Sequence, residues 1–162
     1  MSDDVKFDLI GVDAILAKLE SVSYDTKRKG GRAALRRAAL IVAAKAQEGA
    51  QRLDDKETGR AIADNIAVRW NGKRFKQAGD LGFRIGVMRG AVLADGGDLS
   101  ENSPTPHWRL LEFGTEQMAA KPFMRPALAE NIGEVTATFL TEYSKALSRA
   151  IKRAAKKAEK AR

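Results

Sequence analysis

The chain has no cysteine and one histidine among its 162 residues. Absence of cysteine excludes disulfides and thiolate metal sites, and it fits a reducing compartment. No apolar run approaches the roughly 18 residues that a membrane span needs. The opening residues, MSDDVKFDLIG, are acidic and lack the basic start and apolar run of a signal peptide. Gly72, Gly79, Gly82 and Gly86 have neither the strand–loop–helix setting nor the Gly-Lys-Ser/Thr ending of a phosphate loop, so nucleotide binding is not expected. The lone His107 stands near Arg109 and Glu112, a grouping that could support general acid–base work. With no second histidine, no cysteine, no metal-ligand cluster and no nucleophile elbow, an active site there is a poor fit. No cofactor is expected.

What is present is the composition of a folded soluble protein, 44% hydrophobic and 31% charged. The length is that of a single domain, taken as 1–162, with enough chain to bury a core. The net charge of +8 is concentrated. Lys145, Arg149, Lys152, Arg153, Lys156, Lys157, Lys160 and Arg162 face only Glu159, so almost all of the charge excess sits in a tail spanning 145–162. Lys27, Arg28, Lys29, Arg32, Arg36 and Arg37 form a second cluster, offset only by nearby Asp25. Such concentrations favour nucleic acid or an acidic protein surface. The seven tail cations from Lys145 to Lys160 are therefore candidate contacts to either, against the plainer reading of a solvated helix face.

In order along the chain, residues 5–10 alternate as a half-buried strand would. Gly11 ends them, and Asp13 is placed to cap a short helix carrying Ile15, Leu16 and Leu19. A long helix is predicted from about Asp25 to Leu53, with Leu35, Ala39, Val42, Ala46, Ala50 and Leu53 on one face. Gly30 and Gly31 weaken its start, so its beginning is expected after them. Its alanines suit close packing on another helix. After a polar break at 54–60, Ile66, Val68 and Trp70 read as a strand. Asn71-Gly72 is a two-residue turn signal, Phe75 a candidate for the return strand, and Gln77 to Asp80 another turn. The clearer partner strand is Leu81 to Met88. Residues 89–106 form a long Gly-, Ser-, Asp- and Pro-bearing stretch, expected to project as a loop.

From His107 to Leu128 the chain sets Trp108, Phe113 and Phe123 among Gly114, Pro122 and Pro126, which predicts a shaped turn over a core. A short helix or extended segment should end at Gly114, whose expected conformation is left-handed. Glu112 is expected to accept hydrogen bonds from backbone or arginine near the turn. Phe123 is assigned to the core in preference to a neighbour's pocket. From Pro126 one long helix is predicted, with Leu128, Ile132, Val135, Phe139, Tyr143, Leu147, Ile151 and Ala154 as its stripe. The whole is an α+β fold: a small antiparallel sheet packed with a long helix from the N-terminal half and a long C-terminal helix.

The strings Leu111-Glu112-Phe113-Gly114-Thr115 and Pro122-Phe123-Met124-Arg125-Pro126-Ala127-Leu128 resemble the head–tail joining and tail-completion proteins of long-tailed bacteriophages. The approach to them is similar as well: a strand, glycine and short helix over Val5–Leu19, an alanine-rich helix over 33–50, and Thr58-Gly59 ahead of the strand at Ile66. Trp108 stands where an aromatic residue, often tyrosine, precedes the Glu-Phe-Gly-Thr string. The resemblance implies a non-enzymatic virion subunit that forms a homo-oligomeric ring, a hexamer or dodecamer, in the neck around the DNA channel. It also implies assembly in the host cytoplasm and partners among the head-completion, tail-terminator and tail-tube proteins. Trp108, Glu112, Phe113, Gly114, Thr115, Pro122, Phe123, Arg125 and Pro126 would then form the structural motif and interface. The rival reading is a small, non-specific DNA-binding protein that uses its basic helices.

Overall fold

The computed structural model describes residues 12–20, 22–53, 61–88, 105 and 107–160. The expected strand at 5–10, the polar break at 54–60 and nearly all of the loop at 89–106 lie outside them. The elements are α1 (Val12–Glu20), α2 (Tyr24–Gln51), a 3-10 turn (Ala63–Asn65), β1 (Ile66–Trp70), α3 (Gly72–Ala78), β2 (Phe83–Val87), α4 (Trp108–Phe113), α5 (Met124–Ala129) and α6 (Ile132–Lys160). This is the α+β arrangement expected, with two long helices and one antiparallel strand pair. Among the described residues no helix is long and apolar enough to cross a membrane.

The long helices organise the rest. α2 and α6 run antiparallel: Val135 near the start of α6 packs against the cluster that holds Val42, Ala43, Ala46 and Ala50, and Tyr143 further along α6 meets Lys27 near the start of α2, its hydroxyl donating to the Lys27 carbonyl at 3.2 Å. The buried face of α2 is made almost wholly of Gly31, Ala34, Ala38, Ala39, Val42, Ala43, Ala46 and Ala50. Small side chains let α5 and α6 approach closely, as the alanine count suggested. They also explain why α2 begins at Tyr24 rather than after the glycines. A Cβ on Gly30 would come within 3.2 Å of the Ala146 Cβ, and one on Gly31 within 3.0 Å of a Leu81 methyl. Tertiary contact at these two positions offsets the helix cost of about 1 kcal/mol per glycine. α1 packs on α6 through buried Ile15, with Lys18 Nζ donating to Ser144 Oγ at 2.8 Å. Asp13 lies within α1 and not ahead of it.

β1 and β2 pair antiparallel from Ile66 opposite Val87 to Trp70 opposite Phe83, and Met88 N donates to Asn65 O at 2.8 Å just beyond. Ile66 and Val68 of β1 and Ile85 and Val87 of β2 pack on the core of α2, Ile62, Phe123 and Ala127. The connection between the strands corrects the expected Asn-Gly turn. Asn71 has φ −88°, and its side-chain oxygen accepts from Arg74 N at 3.3 Å, so it caps a helix and does not turn a hairpin. Asparagine serves both roles, and a helix cap needs no positive φ. Phe75 is consequently helical, and Gly79, at φ 74°, ends α3 in the left-handed conformation. Arg32 stacks over Trp70 at 4.2 Å and Arg28 over Phe75 at 5.3 Å, which ties this insertion to α2.

The helix expected from Pro126 is two helices. α5 starts at Met124, with Pro126 in its first turn, where a missing N–H is harmless. α6 starts anew at Ile132 because Asn131 donates its side-chain amide to the Ala127 carbonyl at 3.1 Å, competing with the backbone ladder. The break leaves Leu128 and Ile132 exposed instead of on the buried stripe.

Close helix packing makes a direct prediction. Ala46 is fully buried between α2 and the core, so Ala46→Leu should overpack the seam and cost about 1–3 kcal/mol in chemical denaturation. Ala44→Leu, on the exposed face of the same helix, should stay within about 0.5 kcal/mol of the parent.

Candidate functional site

α4 is only six residues long and carries Glu112 on its inner side. Glu112 is 1% exposed, and both carboxylate oxygens point at the start of α5. Oε2 accepts from Phe123 N at 2.7 Å and Met124 N at 2.9 Å, while Oε1 accepts from Arg125 N and Arg125 Nε, each at 3.1 Å. The guanidinium reaches back, with Nη2 donating to the Glu112 carbonyl at 2.6 Å. These backbone N–H groups are among those a helix start leaves without an internal partner, so one carboxylate closes the N-terminus of α5. Burial raises the carboxyl pKa, but the N–H groups of Met124, Phe123 and Arg125 and the Arg125 side chain outweigh it and hold the pKa below its ordinary value. Glu112 is a clamp, accepting from backbone and from arginine as the sequence suggested. Among the described residues it makes no hydrogen bond to His107 or Arg109.

The rest of the motif has equally local reasons. Gly114 has φ 76° and ψ −179°, a region close to glycine-only, though not the left-handed helical one expected. A Cβ there would lie 2.9 Å from both the Met118 carbonyl oxygen and Ala120 N. Thr115 forms the turn that follows: its N–H donates to Met118 O at 2.9 Å, and its hydroxyl accepts from Gln117 N at 3.3 Å. Lys121 N then donates to Leu111 O at 2.7 Å, bringing Pro122 and Phe123 beside α4. Phe123 is 3% exposed, a core anchor as assigned. Trp108 packs partly into the same core, with Arg109 over its ring at 5.6 Å. Phe113 differs, standing 64% exposed with the Arg125 guanidinium 5.2 Å over its ring. Sequence reasoning missed the buried pair Asn65 and Thr105, joined at 3.1 Å, because nothing in the spacing links residues 40 positions apart.

The tail cations lie on α6, whose residues 152–160 are exposed. At about 100° per residue, Lys145, Arg149, Lys152, Arg153, Lys156, Lys157 and Lys160 share one side of the helix. Lys145 pairs with Glu142 at 3.1 Å; the other six have no carboxylate partner among the described residues. The structure therefore separates two features: a carboxylate-clamped turn and a one-sided cationic helix.

Residues 13–114 match the family described as "Bacteriophage HK97-gp10, putative tail-component". The match runs from the first turn of α1 to the glycine that ends α4. It includes Glu112 and stops before the α5 half of the clamp. No curated protein and no solved structure matches the chain.

The clamp should be visible in stability against pH. Its folded carboxyl pKa lies below the ordinary 4.5, so its contribution is complete above that value and is lost as pH falls through the depressed one. Glu112→Gln should cost about 1.5–3 kcal/mol at pH 7, with the gap to the parent narrowing below pH 4.5 in urea titrations at a series of pH values. Gly114→Ala should cost at least about 1–3 kcal/mol from strain alone, measured by thermal unfolding. An unchanged midpoint would refute the positive-φ account.

Proposed function

Because the chain belongs to the HK97-gp10-like family of bacteriophage tail components, we propose that it is a tail-completion or head–tail joining subunit whose copies close into a ring around the DNA channel. Family membership makes it a virion protein that works among other tail proteins. In this reading residues 1–162 are one domain, and the role is structural and not enzymatic. Subunits assemble in the host cytoplasm into a hexamer or dodecamer that meets the head-completion, tail-terminator and tube proteins.

The observation that carries the reading is an apolar rim beside the clamped turn. Leu110 and Phe113 are 51% and 64% exposed, one turn apart on α4. Leu128 and Ile132 are 47% and 41% exposed across the α5–α6 break. The Arg125 guanidinium lies over the Phe113 ring. Single exposed apolar residues are ordinary. Two such pairs, on α4 and on the α5–α6 connection that Glu112 and Arg125 tie to it, suit protein–protein contact, because a backbone already fixed loses little entropy on docking. Packing by such an edge onto a different face of the next copy is the heterologous contact that closes rings.

The cations of α6 favour a second reading, a non-specific DNA-binding protein, since a one-sided cationic face can follow phosphates without reading bases.

Sedimentation of the purified chain should give a multiple of its 17.6 kDa mass, and Phe113→Asp should return it to monomer with its circular dichroism intact. A chain that stays monomeric while binding duplex DNA with an affinity falling steeply with salt would favour the second reading instead.

A further inference from the structure

Where α6 runs past the start of α2, the two helices leave a groove of about 610 Å³. Its walls carry Lys29 and Arg37 from α2 and Arg149, Arg153 and Lys157 from α6. Among the described residues Glu142 is the one acidic residue lining it, and that carboxylate already pairs with Arg37 and with Lys145. Lys29, Arg149, Arg153 and Lys157 have no carboxylate partner among the described residues. Both arginines give Nε to carbonyls of their own helix, Arg149 to Lys145 O at 3.3 Å and Arg153 to Arg149 O at 3.2 Å, which holds their stems along α6. Between the walls the floor is Gly30, Ala33, Ala34, Ala146, Ala150 and Ala154.

We propose that this groove seats an acidic peptide segment with an apolar face, contributed by a neighbouring protein. The two parts of the groove select for this together. Cationic walls alone would suit any polyanion. A floor of methyl groups gains nothing from a phosphodiester chain, which has no apolar face to bury, but it gains from covering alkyl side chains. Because nothing larger than alanine rises from the floor, an incoming helix can lie close to both α2 and α6, in the manner of a helix entering a groove. Carboxylates on its flanks then reach the unpaired arginines, whose planar guanidinium suits two-point contact. The proposal draws on the tail-component reading only in expecting the neighbour to be a tail protein; the groove itself does not require a ring.

The test uses the full chain and three fluorescent probes: a peptide of about 16 residues built from Glu, Leu and Ala as an acidic amphipathic helix, polyglutamate of equal length, and a short duplex DNA. By anisotropy, the amphipathic peptide should bind at least about tenfold tighter than polyglutamate. Arg149→Ala with Arg153→Ala should weaken it about tenfold or more, whereas Lys152→Ala with Lys156→Ala, which removes equal charge outside the groove, should weaken it less than about threefold. Ala33→Phe with Ala154→Phe fills the floor without changing charge. Both positions are exposed, so the fold should persist by circular dichroism while peptide binding is lost. Polyglutamate or duplex DNA binding as tightly as the peptide, equal losses from the two charge-removing pairs, unchanged binding by the floor variant, or no peptide binding would each overturn the proposal. Sedimentation reads ring formation separately: peptide binding by a monomer would sink the ring and leave the groove, and a ring that ignores the peptide would do the reverse.

Discussion

A carboxylate taken out of water costs several kcal/mol unless its charge is met, and Glu112 is met four times over. Much of the molecule's second half is positioned by that one group. It fixes the first turn of α5 against α4, and with it the entry of Phe123 into the core beside Gly49. It orients Arg125, which covers Phe113 and reaches back to the Glu112 carbonyl. α6 leaves α5 after a two-residue break, so the direction of a 29-residue helix is set close to this clamp. Gly114 makes the arrangement possible, because the returning backbone at Met118 and Ala120 occupies the space any side chain would need.

The second constraint is the thinness of α2. A buried face of glycine and alanine lets α6 lie close to it over much of its length. That closeness brings together two basic stretches more than 100 residues apart in the chain, with Glu142 as the carboxylate lining the space between them. Like charges this near oppose each other, so the seam is held by packing and by the Arg37–Glu142 and Tyr143–Lys27 contacts, not by balanced charge. Cohesion below and unmet charge above give the molecule a stable body with a reactive edge.

How much of this was readable from the chain varied with the range of the interaction. Helix periodicity placed α2 and α6, and alternation placed β1 and β2, because those patterns record which side of an element is buried. Glu112 and Phe123 were assigned correctly because the Gly and Pro around them imply a folded-back turn with polar groups to satisfy. Local signals went astray where two outcomes share one chemistry. Asn71-Gly72 reads equally as a hairpin turn or a helix cap, and Asn131 breaks a helix that propensity alone would continue. Gly30-Gly31 looked like a weak start until Tyr143, Ala146 and Leu81 were seen against it.

The sequence by itself determined the class of fold, the two long helices, the shaped turn and the side of α6 that carries charge, since each depends on residues within a few turns of one another. Only the tertiary structure decided that the oxygens of Glu112 cap α5, that Phe113 faces outward while Phe123 faces in, and that the cations of α2 and α6 wall a single groove. Those outcomes depend on which segments meet across long stretches of chain, and no local spacing encodes the meeting.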